Sequence, residues 1–351
     1  MPASSSTESP ARQDRSRARL HVVSGKGGTG KTTVAAALAL ALAAGGRRVL
    51  LCEVEGRQGI AQLFDVPQLP YAEQRIAVAS GGGEVWALAI EPKAALLEYL
   101  ELFYHLGRAG KVLERLGAID FATTIAPGLR DVLLIGKVYE ATRRREGTAP
   151  RYDAVVLDAP PTGRIGQVLN VNEEVAGLAR VGPIRNQAGS IMNLLRSSAT
   201  AVHLVTVLEE MPVQETCDAL AELHRIGLPV GSIVVNMMRE PLLAPAELAQ
   251  ATRGKLPVTR VVAGLEAAGM GRRSGHGTET ATARTARLRA TAQALIAEGV
   301  QHARRVALER EQRAVLEGLG RPVVELPALA EGIDLGALYD LAERLRAQGP
   351  A

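Results

Sequence analysis

Residues 24–33 read SGKGGTGKTT. Within them Gly25-Lys26-Gly27-Gly28-Thr29-Gly30-Lys31-Thr32 satisfies the spacing G-x-x-x-x-G-K-[ST]. A β-rich run, LHVVS at 20–24, precedes the motif, and an apolar run, TVAAALALALAA at 33–44, follows it. That strand–loop–helix context is what a phosphate-binding loop requires, and it turns a weak glycine signal into a strong one. The glycines let backbone N–H groups turn inward around phosphate oxygens. The helix start adds the positive end of its dipole. Lys31 then reaches the β- and γ-phosphates, and the Thr32 hydroxyl is a Mg²⁺ ligand. The loop holds a second lysine, Lys26, which ordinary phosphate neutralisation does not need.

Further β-rich runs recur: RVLLCEV at 48–54, EVWALAI at 84–90, YDAVVLD at 152–158, VHLVTVL at 202–208, GSIVVN at 231–236 and RPVVEL at 321–326. Most are apolar throughout, which is the pattern of strands buried on both faces. Helical stretches lie between them. The fold class is therefore α/β, a doubly wound, mostly parallel sheet built around the phosphate loop. Two connections exceed a simple crossover, at about 92–147 and 165–200. Both read as helices, and together they predict one helical subdomain inserted into a single domain spanning 19–345. Tyr99, Phe103, Tyr104, Phe121 and Tyr139 concentrate in the first insert, making 96–139 a candidate apolar groove or simply that subdomain's own core. A third long segment, 262–318, opens with a Gly/Ser/Thr/Arg-rich loop and continues as an Ala/Arg/Glu-rich helix.

Composition narrows the class. Lys and Arg total 41 and Asp and Glu 37, a net +4, and no run alternates basic with aromatic residues. This pattern argues against nucleic acid as a partner. Residues 1–18 are polar, predicting a disordered leader without the apolar centre of a secretory signal. The 33–44 run is short of the roughly 20 residues a membrane span needs. A cytoplasmic protein, at most peripheral to a membrane, is the expectation. Cys52 and Cys217 stand far apart, in no C-x-x-C pair, so no zinc is expected.

Acidic candidates follow from the layout, since nucleotide sites in such sheets lie at the carboxyl ends of strands. Asp158 ends the 152–158 run and is followed by APPTG, which places it to support Mg²⁺ directly or through water. Gly163 can offer its N–H to a γ-phosphate. Glu53 and Glu55 end the second run, and either is a catalytic candidate or a solvated strand end.

Several of these stretches resemble one family. SGKGGTGKTT is similar to the deviant Walker A loop, K-G-G-x-G-K-[ST], of the ATPases that include arsenite-pump, tail-anchored-protein-targeting and partitioning members. DAPPTGR at 158–164, APGLRDVLLIGKV at 126–138, LEEMPVQETCDALAEL at 208–223, VVN ending at Asn236 and LPALAEGI at 326–333 resemble segments of the arsenite-pump and tail-anchor-targeting branch. The likeness runs from about 20 to 345 and is greatest to actinobacterial members. It implies that Gly25, Gly27, Gly28, Thr29, Gly30, Lys31, Thr32 and Thr33 hold ATP, with Thr32 and Asp158 at the Mg²⁺. It also implies that Asn236 and the loop at Pro327 serve the adenine. Lys26 would be the signature lysine that reaches a partner's phosphates. Glu55 stands where the family has an Asp that orients water; its extra methylene puts efficient hydrolysis in question. With one phosphate loop in the chain, a working dimer needs a second copy or a paralogue.

The leading expectation is a dimeric ATPase switch that couples nucleotide state to a hydrophobic client or membrane partner. A surface-assembling partitioning ATPase and a small-molecule kinase are the alternatives. NMMR at 236–239 is not the N-K-x-D motif of guanine readers, which favours ATP.

Overall fold

The computed structural model describes residues 18–54, 56, 58–104, 127–178, 183–270, 280–330 and 332–349. Within helices, the side chains at 99–100, 102–104, 127–129, 171–178 and 183–187 are also outside this set. The expected leader, residues 1–18, falls almost entirely outside this set, and Glu55 lies outside it too. By their contacts the residues divide into two compact units. One comprises the chain up to Met238 together with Leu316 onward, and the other is Arg239–Val315.

The first unit is built on an eight-stranded sheet. Its strands are β1 (Leu20–Gly25), β2 (Arg48–Glu53), β3 (Gln74–Val78), β4 (Glu84–Ala89), β7 (Ala154–Asp158), β8 (Thr200–Thr206), β9 (Val230–Met238) and β10 (Val323–Pro327). They lie in the order β10-β9-β8-β1-β7-β2-β4-β3. All neighbours pair parallel except β3, which runs antiparallel to β4. The seven expected strands are all present. The edge strand β3 is an addition: QRIAV is half exposed and too polar to stand out beside the apolar runs. A two-residue hairpin, β5 (Arg145–Glu146) and β6 (Ala149–Pro150), precedes β7.

Helix α1 (Lys31–Ala43) is apolar on every side, and its residues from Thr33 onward are all buried. It lies between one face of the sheet and α11 (Leu335–Gln348), which explains why it has no polar stripe. Its alanines allow close approach, and each buried leucine (Leu38, Leu40, Leu42) contributes about 2 kcal/mol. Short α2 (Gly59–Leu63) follows β2. The other face carries α3 (Pro92–Tyr104), α4 (Pro127–Arg143), α5 (Thr162–Leu178), α6 (Pro183–Leu195) and α7 (Glu210–Arg225). Leu96, Leu133, Leu134, Ile135 and Val138 are buried in the core of that face, so the described part of the candidate groove serves the core. Residues 105–126, at its centre, lie outside the described set.

The second unit holds α8 (Pro245–Thr252), α9 (Val258–Ala267) and most of α10 (Ala281–Gly318). Two small clusters bind it: Leu248, Ala251, Ala303 and Val306, and Leu265, Leu288 and Ala292. No described helix is long and apolar enough to cross a membrane.

A buried histidine pair ties β1 to β8. His21 Nδ1 lies 3.1 Å from His203 Nε2, His21 Nε2 lies 3.2 Å from the Ala18 carbonyl oxygen, and the Ser232 N–H points to His203 Nδ1 at 3.3 Å. One assignment satisfies the whole chain: His21 donates to Ala18, His203 donates to His21, and Ser232 donates to His203. Both rings are then neutral. Burial, with Arg47 adding to it against the Ala18 hydrogen bond, pushes His21 down to about 4. The unfolded chain therefore binds the extra proton first, and this contribution is full above the ordinary value near 6.5 and is lost as pH falls toward 4. About 2 kcal/mol of stability is expected to go between pH 7 and pH 5 through His21. His21→Gln keeps a donor and an acceptor but binds no proton. Its urea midpoint is expected to fall less over that interval than the wild type's, and equal falls would contradict the assignment.

Candidate functional site

The phosphate loop leaves β1 at the middle of the sheet, with β8 on one side and β7 on the other. Steric limits at Gly25 and Gly30 show why the loop is written in glycine. A Cβ on Gly25 would stand 2.1 Å from the Val205 carbonyl oxygen of β8. A Cβ on Gly30 would stand 2.4 Å from Asn236 Nδ2, and Gly30 has φ +83°, a left-handed value that disfavours side chains. Gly27 and Gly28 are exposed, and no atom would obstruct a Cβ at either within 4 Å. The loop is thus backed by β8 and β9 and open at its apex.

The turn is held by its own polar groups. The Lys26 carbonyl oxygen accepts from Thr29 N at 3.3 Å, from Thr29 Oγ1 at 2.9 Å and from Lys31 Nζ at 3.4 Å. Thr29 is itself buried, and Thr33 begins the buried face of α1. Thr32 Oγ1 donates to Asp158 Oδ2 at 2.7 Å, which joins the start of α1 to the end of β7. Ser24 Oγ donates to the Pro160 carbonyl oxygen at 2.7 Å, and Ala159 N donates to Val23 O at 2.9 Å. The segment 158–163 is therefore laced to the loop from below. Gly163, exposed, occupies the first turn of α5, where N–H groups lack intrahelical acceptors.

The remaining expected residues fall around this centre. Asn236, buried near the end of β9, donates from Nδ2 to the Thr29 carbonyl oxygen at 2.9 Å. One of its two amide hydrogens is therefore committed to the loop, and the other and its oxygen are the groups a base could meet. Pro327 ends β10 opposite Met238, and Ala328 N closes onto the Met238 carbonyl oxygen at 2.8 Å. Met237, beside Gly30, has a left-handed φ of +57°, as do Gln58 at +56° and Asp65 at +50° around α2.

Glu53 and Asp158 are register partners at the ends of β2 and β7, and both are buried. The Glu53 carboxylate accepts from Gly59 N at 3.2 Å and Ile60 N at 3.4 Å. It anchors the start of α2, whose Gly59 packs on Thr32. Lys26 Nζ points away from the loop to Glu215 Oε1 on α7, at 2.6 Å. Glu215 Oε2 accepts from Thr162 Oγ1 at 3.4 Å. In the sequence Glu215 is only one residue of LEEMPVQETCDALAEL at 208–223, because no local pattern announces a contact spanning 189 residues.

The donor set fits a nucleotide with a hard divalent cation. Thr32 and Asp158 supply two oxygens, and phosphate oxygens and water would complete the shell. The open glycine apex and Lys31 fit the phosphates.

These features define a P-loop nucleotide hydrolase of α/β architecture. The family model described as "Anion-transporting ATPase" matches residues 18–198. ATPase BagA of Mycobacterium tuberculosis is 52% identical over 332 residues, covering 94% of this chain and 93% of the relative. ATPase GET3 of Rhodotorula glutinis is 25% identical, covering 62% of this chain and 70% of the relative. A putative arsenical pump-driving ATPase of Chlorobaculum tepidum is 24% identical, covering 63% and 61%. The chain belongs to the anion-transporting ATPase family, and it is an ATPase.

Gly30→Ala is expected to weaken nucleotide binding at least tenfold, because the methyl group would meet Asn236 in a strained backbone. Wild-type affinity in Gly30→Ala by calorimetric titration would contradict the packing described.

Proposed function

We propose that the chain is an ATP-hydrolysing, Mg²⁺-dependent switch that works as a dimer, with an identical copy or a paralogue. Its nucleotide state would govern binding or delivery of a hydrophobic or membrane protein client. The observation that carries this reading is the divergence of the two loop lysines. Lys31 folds back within its own loop, onto the Lys26 carbonyl. Lys26 sends its ammonium outward to a partly exposed position, where it serves none of its own loop's backbone. A cation at the loop apex is what a neighbouring site would use to meet developing phosphate charge, as an arginine finger does.

The same face carries exposed apolar side chains. Met211 is 60% exposed one turn before Glu215 on α7, and Met237, beside Gly30, is 44% exposed. Both suit a surface that a second copy covers. Gly27, Gly28, Gly30, Lys31, Thr32 and Thr33 would hold the phosphates, and Asn236 and the Pro327 loop the base. Thr32 and Asp158 would hold Mg²⁺, which when bound neutralises phosphate charge. Glu55 is the proposed water-orienting group.

A route from the site to the helices supports the switch. Arg164, in the first turn of α5 just past the 158–163 segment, reaches Asp131 of α4 at 3.7 Å. Burial pushes the Asp131 carboxyl up, against the pull of Arg164 and Arg130, so the pair lies where a small shift of α5 changes a poorly solvated charge. The coupling of nucleotide to client would pass along α5 to α4. A cytoplasmic location, with contact at a membrane surface only through the client, follows from this role.

Lys31→Ala is expected to lose nucleotide binding and with it hydrolysis. Lys26→Ala should bind nucleotide within about threefold of wild type yet lose at least 100-fold in turnover. Equal turnover in Lys26→Ala and wild type would reject the role given to Lys26. A strict monomer by light scattering at saturating ATP would reject the dimer.

A further inference from the structure

We infer that Glu215 is a positioning residue that parks Lys26 inside its own subunit, and that dimerisation must break this ion pair. The inference rests on the dimer reading above and adds a regulatory step to it. The Lys26–Glu215 distance of 2.6 Å is that of a charge-assisted hydrogen bond. Both side chains are about one-third exposed, at 31% and 35%, so the pair is reachable from outside yet partly shielded. An ammonium held this closely is not available to a phosphate in another subunit. It must exchange one anionic partner for another.

The carboxylate has a second connection. Its other oxygen accepts from Thr162, a buried residue that opens α5 four positions after Asp158. One carboxylate thus spans the phosphate loop and the 158–163 segment, the two pieces that would flank a bound terminal phosphate. Glu215 lies on α7 of the same unit as both, a fixed helix packed on the sheet. The arrangement holds Lys26 in a resting position and ties that position to the segment nucleotide would move. It raises the threshold for self-association, because each copy gives up its pair only when the other's phosphates compensate for it.

The experiment reads ATPase activity per protomer against protein concentration. Wild type should show activity rising with concentration toward a plateau. Glu215→Gln keeps the shape and an acceptor for Thr162 but removes the charge. Its half-maximal concentration is expected to fall by about threefold to tenfold, the modest size fitting a part-exposed pair. Glu215→Asp draws the charge back by one methylene and should shift in the same direction by less, and it serves if the glutamine variant does not fold. In a Lys26→Ala background, the dimer fraction seen by light scattering with ATP should no longer respond to Glu215→Gln. An unchanged or raised midpoint in both Glu215 variants, with wild type still concentration-dependent, would overturn the inference and leave the dimer standing. A shift that persists without Lys26 would likewise overturn it, since Glu215 would then act through another group. Wild-type activity independent of concentration, with no dimer, would overturn the dimer reading itself and the inference with it.

Discussion

The turn from β1 into α1 closes on one atom, the carbonyl oxygen of Lys26. Thr29 reaches it twice, through N–H and hydroxyl, and Lys31 reaches it with its ammonium. Because that carbonyl gathers the loop inward, the Lys26 side chain is directed outward, to Glu215. The rest of the site depends on this turn being possible at all. Val205 of β8 and Asn236 of β9 approach so closely that only glycine fits at 25 and 30. The sheet order sets those neighbours, and the burial of α1 between sheet and α11 keeps the loop's helical end in register with them.

From the turn, polar contacts spread along the carboxyl ends of the strands. Thr32 ties to Asp158, Ser24 to Pro160, and Glu53 to the start of α2. Each links the loop to a segment that changes course just beyond a strand, so a ligand at the loop acts on several segments at once. Arg164 and Asp131 continue the chain of contacts into the helices packed on the sheet. The buried histidine pair ties β1 to β8 within the sheet. The family's catalytic class and the geometry of the site agree.

Contiguous motifs were the readable part of the sequence. The residues from Gly25 to Thr33 work through backbone turns and one helix start, which local spacing encodes directly. Strand runs buried on both faces, such as AVVLD ending at Asp158, announce themselves by unbroken apolarity. Gln74–Val78 did not, because an antiparallel edge strand keeps solvent-facing polar residues. Long-range pairings were the least legible. The Asn236 contact with Thr29 joins positions 207 apart, and Lys26 meets Glu215 across 189. The groups are visible in the sequence, but only the sheet order brings them together. Within the separate unit Arg239–Val315, the sequence announces a loop and helix only from 262 onward, since its two small clusters use sparse Leu, Val and Ala positions that resemble an ordinary amphipathic pattern.

In the proposed dimer Lys26 works in a neighbour's site while Lys31 works in its own, and mixing two inactive variants separates these roles. A Lys26→Ala protomer keeps its own phosphate loop, and a Lys31→Ala protomer keeps a lysine to offer across the interface. ATPase activity should reappear when the two are combined, well above the sum of the two alone. A mixture no more active than that sum, under conditions where light scattering shows mixed dimers, would contradict the claim.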